Sequence, residues 1–179
     1  MIHRPKRLSK LRIMFILIED FVNGATKRMR IEELYVWSIL LKAGISDMEQ
    51  YATWLDDIFL KAYKGDPSYT LLLDLEFCSN DINKTLDAID DSISIRVSSF
   101  DFDYIGSLLF KALEEVYSAD TYDLQTLAAK AYYIWTRLPE RVANNPPFFT
   151  LNYIDDPLDY GDEATTRDLF QSIFDYYRL

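Results

Sequence analysis

The chain holds a single cysteine, Cys78, and a single histidine, His3. One cysteine cannot form an intramolecular disulfide framework and leaves no cysteine-based zinc site, which points to a reducing compartment. One histidine removes the triads and dyads on which most nucleophilic catalysis depends. The five glycines are scattered, so there is no glycine-rich loop to cradle a phosphate. Long apolar runs are also missing. The longest candidate, Ile13-Met14-Phe15-Ile16-Leu17-Ile18, follows Arg4, Lys6, Arg7, Lys10 and Arg12 and ends at Glu19-Asp20 without a small-residue cleavage site. Such a run is too short for a membrane span or a signal-peptide core, and it reads as a buried element. No fixed-period repeat, low-complexity tract or dividing linker is present. The expectation is a water-soluble, cytoplasmic chain that does not associate with membranes.

What is present suits one folded domain over 1–179. Of the 179 residues, 49% are hydrophobic and 15% aromatic, enough to build a core. The net charge of −10 is unevenly spread. Residues 1–30 carry eight Lys/Arg against Glu19 and Asp20, a balance of +6, while residues 31–179 carry 11 basic and 27 acidic residues, a balance of −16. An acidic surface repels nucleic acid and steers basic partners toward it. The basic segment 1–12 could contact nucleic acid or anionic lipid, but beside a strongly acidic body it reads better as a helix with its charged side toward solvent or that body.

The hydrophobic periodicity is helical almost throughout. Leu8, Leu11, Phe15, Ile18 and Val22 predict a helix over about 5–23, although 13–18 would also suit a buried strand. Ile31 to Ala43 continues the pattern, with Gly44 as its stop. Ser46-x-x-Glu49 has the spacing of a capping box, and Tyr51, Trp54, Leu55, Ile58 and Phe59 share one face of a helix over 47–64. Asp66-Pro67 supplies a cap and a first-turn proline for a helix to about Phe77, followed by one over 82–91. Ser92-Ile-Ser-Ile-Arg-Val-Ser98 alternates with period two, so 92–98 reads as a short strand in a small ribbon or as an extended connector. Helices follow around 105–118 and from Leu124 to the stop at Pro139. Asn144-Asn145-Pro146-Pro147 opens an irregular aromatic loop, and a last helix spans about 163–177. The fold class is therefore an all-α, single-domain multi-helix bundle, with 92–98 left open.

Few residues offer chemistry. Asp87, Asp90 and Asp91 fall at i, i+3 and i+4 on one helical face, a spacing that can bridge a divalent cation to phosphate, but no second such motif exists and a solvated acidic face is the better reading. The adjacent pairs Asp56-Asp57 and Glu114-Glu115 point about 100° apart on a helix and cannot share a metal. Cys78, between Glu76 and Asp81, lacks an activating setting and reads as a core cysteine. No catalytic residue, metal or cofactor is expected. Thirteen tyrosines and three tryptophans are many for this length. Most belong in the core, but Phe148, Phe149, Tyr153, Asp155, Asp156, Asp159, Tyr160, Asp162 and Glu163 mix aromatic and acidic side chains outside a regular helix. That composition suits a partner-binding surface.

An acidic helical chain of this size, without a catalytic signature and with the stretch Tyr153-Ile-Asp-Asp-Pro-Leu-Asp-Tyr160, resembles the bacterial immunity proteins of contact-dependent inhibition and related polymorphic toxin systems. The resemblance rests on composition, so no residue role is carried over with it. It implies a non-enzymatic protein that binds and neutralises a cognate toxin domain, commonly a nuclease with a basic cleft. The alternatives are a small metal-dependent enzyme acting on phosphates through Asp87, Asp90 and Asp91, and a regulatory module that holds nucleic acid with its basic N-terminal helix.

Overall fold

The structure, a computed structural model, describes residues 29–62, 64–65 and 67–178. The helix expected over about 5–23 lies outside these residues, as does Asp66. Among the described residues there are eight α-helices, three short 3-10 turns and no strand. The chain is all-α, as its periodicity predicts.

Helix α1 (Ile31–Lys42) is the centre of the molecule, with every residue from Glu33 to Leu41 buried. A helix apolar on all sides is stable only when covered on all sides, and α4 (Ile82–Ile93) and α5 (Phe102–Ser118) pack against it. Gly44 takes a left-handed φ of 63°, and its neighbour Ile45 donates its N–H to the Leu40 carbonyl at 3.0 Å, closing the helix. Lys130 Nζ completes the cap by donating to the carbonyls of Ala43 at 2.8 Å and Gly44 at 3.1 Å.

Helix α2 (Met48–Lys61) buries Tyr51, Trp54, Leu55 and Ile58, as expected. Its capping box is one residue later than the sequence suggests. Asp47 accepts from the Gln50 N–H at 3.0 Å, and Gln50 Oε1 accepts from the Asp47 N–H at 2.9 Å, while Ser46 is buried in the preceding turn. Aspartate is as good a cap as serine, so both registers were chemically open. Helix α3 (Tyr69–Cys78) starts after Pro67, with Ser68 at its N-cap, and lies between α2 and α4.

The segment 92–98 corrects the sequence reading, because it is neither a strand nor an extended connector. Helix α4 continues to Ile93, Ser94 stays helical at φ −49° and ψ −40°, and a 3-10 turn spans Val97–Ser99. Ser92 donates to the Ala88 carbonyl at 2.7 Å and Ser94 to the Asp91 carbonyl at 3.1 Å, both bonds that a coiled backbone brings within reach. The alternation also lacks a common apolar face: Ile93 is buried while Ile95 is 90% exposed.

Helices α5, α6 (Leu124–Trp135) and α8 (Glu163–Tyr176) begin at Asp101, Asp123 and Asp162, each accepting from the N–H three residues on. A one-turn helix, α7 (Glu140–Ala143), follows Pro139. The expected aromatic loop contains two 3-10 turns, Phe148–Asn152 and Asp156–Tyr160. The first packs on α6 and also touches α7 and α8, and the second packs on α8.

Candidate functional site

The segment 148–163 is fastened to the core from within. Phe148, Leu151 and Ile154 are buried, at 3%, 0% and 0% exposure. Phe148 was expected on the partner surface. Its ring instead sits 5.4 Å from that of Phe110 on α5, so it is a core residue that a partner cannot reach. Phe149 turns outward, 43% exposed, with its ring edge-on to the half-buried Tyr153 at 5.6 Å. The two neighbouring phenylalanines have opposite fates because successive residues of a 3-10 turn point about 120° apart.

The acids follow on the second turn. Gly161, at φ 75°, ends that turn, and Asp162 opens α8 directly after it. This compact path sets Asp155, Asp156 and Asp159 against one another. Burial first, then the charges of Asp156 and Asp159, hold the Asp155 carboxyl above its ordinary range, although a bond to its own backbone opposes the shift. None of the three forms an ion pair with a described residue. Tyr160 stands beside them at 91% exposure.

The last two acids are already employed. Asp162 accepts from the Thr165 hydroxyl at 2.6 Å and the Thr165 N–H at 3.0 Å, and these bonds hold its carboxyl below the usual range. Glu163 pairs with Arg167 at 3.2 Å, one helical turn on. The candidate surface therefore narrows to Phe149, Tyr153, Asp155, Asp156, Asp159 and Tyr160, with Asp162 and Glu163 at its edge as parts of α8.

The aspartates of α4 do not stand free together. Asp90 accepts from Lys42 Nζ at 2.7 Å and from the Ser38 hydroxyl at 3.0 Å, tying α4 to α1, while Asp87 and Asp91 are exposed. Among the described residues no group of three or more His, Cys, Asp or Glu side chains could hold a metal ion. Cys78 is half-buried, and its thiol donates to the Leu75 carbonyl of its own helix at 3.3 Å. No described helix is long and apolar enough to cross a membrane.

One grouping escaped the sequence. Asp56 reads there as half of an adjacent pair, but Asp57 takes Lys61 at 2.6 Å and the carboxyl that faces Asp56 is Glu76, on α3. Nothing in residues twenty apart announces that contact, since it depends on how α2 and α3 pack.

Comparison with family models, with curated proteins and with solved structures returns no match for this chain.

Proposed function

We propose that the chain is a non-enzymatic binding protein that takes a basic protein partner on the acidic and aromatic surface of residues 149–160, and that it acts as an immunity protein neutralising a cognate toxin domain. The observation that carries this reading is the cluster Asp155, Asp156 and Asp159, with the exposed Tyr160 next to Asp159 in the chain. Like charges held together without a described counterion cost folding energy, and a cationic partner surface would relieve them. An exposed tyrosine beside them offers apolar area with a polar tip, the type of side chain that anchors interfaces. The core contacts of Phe148, Leu151 and Ile154 support the reading further, because they present the turn in a fixed shape and lessen the entropy lost on binding. The −16 balance over residues 31–179 would steer a basic domain in from a distance, occupying the place that nucleic-acid phosphate would take in a nuclease cleft.

The test is kinetic and uses the intact chain against a basic toxin domain encoded beside it. Rim charge and buried anchor act on different rates. Asp155→Asn/Asp156→Asn is expected to slow association several-fold at low salt with little change in dissociation, and added salt should erase the difference. Tyr160→Ala is expected to speed dissociation about 30-fold, the equivalent of about 2 kcal/mol for an interface hot spot. If all three substitutions leave both rates untouched, the site assignment is wrong, and if no basic domain encoded beside the chain binds it, the functional reading is wrong.

A further inference from the structure

Helices α2 and α3 pack against each other, with Tyr51, Trp54 and Leu55 buried on one and Leu72 and Leu75 buried on the other. At the edge of this contact the Asp56 and Glu76 carboxyls face each other. Glu76 Oε2 is buried and accepts no hydrogen bond from any described residue. The Tyr51 hydroxyl, in a side chain with 0% exposure, is likewise without a bonded partner among the described residues and lies in the field of Glu76 and Cys78. Buried polar atoms of this kind are uncommon, and each calls for a physical reason. For Glu76 the reason is chemical. Its neighbour is another carboxylate, and two carboxylates are both acceptors, so no hydrogen bond can form between them until one carries a proton.

We propose that Asp56 and Glu76 are a proton-sharing pair that makes the α2–α3 contact sensitive to pH. With one proton the pair closes as an O–H donating to a carboxylate, a short and strong bond. Without it, two like charges at a half-buried contact push α2 and α3 apart. Burial first, then the charge of Asp56, hold the Glu76 carboxyl above the ordinary glutamate range, consistent with such a proton. The described cations of α2 and α4 are both already engaged. Lys61 of α2 is bonded to Asp57, and Lys84 of α4 is paired with Asp81 at 3.5 Å. From α2 the phenol of Tyr51 also faces Glu76, its own ionisation pushed far up by burial and by the Cys78 and Glu76 charges, so it stays neutral. Cys78 is a further titratable group on the same helix as Glu76, and from α4 the Thr85 hydroxyl donates to the Cys78 carbonyl at 2.8 Å.

The experiment follows the proton directly. Carboxyl carbons of the full chain are titrated by 13C NMR from about pH 8 to about pH 4, a range that covers raised and ordinary carboxyls alike. The Glu76 carboxyl is expected to titrate at a higher pH than the exposed glutamates, and Asp56→Asn should move its midpoint toward theirs. In melts over the same range, the wild type should lose thermal stability as pH rises toward neutral. Asp56→Asn and Glu76→Gln should each flatten that loss, and the double variant should add little to either. Asp56 is exposed, so its variant keeps the test open even if Glu76→Gln folds poorly. Parallel pH profiles in all four proteins, or a Glu76 that titrates with the exposed glutamates, would overturn the proposal. So would a rise in wild-type melting temperature with calcium or magnesium alone that Asp56→Asn abolishes, since the pair would then hold a metal cation instead of a proton.

Discussion

At the scale of the residue, helical spacing sorts inside from outside well wherever the helix is long. Tyr51 and Trp54 lie on the predicted apolar face of their helix, and the structure packs their rings with that of Trp37, edge-on or tilted, with centroids 5.4 to 5.8 Å apart and each with at most 1% exposure. Removing one of three mutually packed rings leaves a cavity that its neighbours cannot close. Trp54→Ala is expected to lower unfolding free energy by about 3–5 kcal/mol in urea titration. A loss under about 1 kcal/mol would mean that α2 can repack without it. The same reasoning fails where the spacing is irregular. Phe148 and Phe149 are chemically identical neighbours, and only the turn that carries them decides that one is core and the other surface.

At the scale of the element, existence and type were legible while boundaries depended on competition between chemically equivalent caps. Asp47 displaced Ser46, and α3 has Ser68 at its N-cap, without a side-chain cap bond, where the sequence puts the cap at Asp66 and Pro67 in the first turn. The alternation in 92–98 misled because a short period-two pattern has the same composition as a helix end rich in serine, whose hydroxyls return to the backbone. Contacts between elements are less legible still, and Gly106 illustrates why. Within α5 alone, alanine would be the better helix former by about 1 kcal/mol. The structure reverses that sign. A Cβ at Gly106 would lie 2.7 Å from Phe148 Cζ and would collide with the Tyr177 hydroxyl. Phe148 is buried and cannot retreat, so the glycine is what lets the 3-10 turn and the end of α8 close over α5. Gly106→Ala is therefore expected to destabilise by about 1–3 kcal/mol, as overpacking does, and a calorimetric melt reads it. A rise in melting temperature would show that the helix term dominates and that the closure is loose.

At the scale of the whole molecule, the acidic balance was fully legible, whereas the way the carboxyls divide into two groups was not, because that division depends on who faces whom. Asp81, Asp101, Asp123 and Asp162 each cap a helix, and hydrogen bonds from the first turn, led by Lys84, Tyr104, Thr126 and Thr165 respectively, hold all four below the ordinary range. Glu76 and Asp155 go the other way, raised first by burial and then by neighbouring carboxylates. The two groups pull stability in opposite directions with pH. A carboxyl lowered in the folded state contributes stability that is present above its unfolded value, about 4, and is lost as pH falls through the folded value. A carboxyl raised in the folded state contributes stability that is present below about 4 and is lost as pH rises through the folded value. The two contributions are therefore largest together near that shared unfolded value. The melting temperature of the chain is therefore expected to pass through a maximum near the ordinary carboxyl range, about pH 4, to fall at lower pH as the caps are protonated, and to decline above it as Glu76 and Asp155 ionise. The separate limbs can be told apart by substitution. Glu76→Gln and Asp155→Asn should flatten only the neutral side, and Asp123→Asn, which keeps the capping oxygen but cannot ionise, should soften only the acid side. A melting temperature that instead rises steadily from about pH 5 to about pH 8 would mean that the raised carboxyls carry no weight in the folded state, and with them would go the energetic argument that the Asp155 cluster is held ready for a cation.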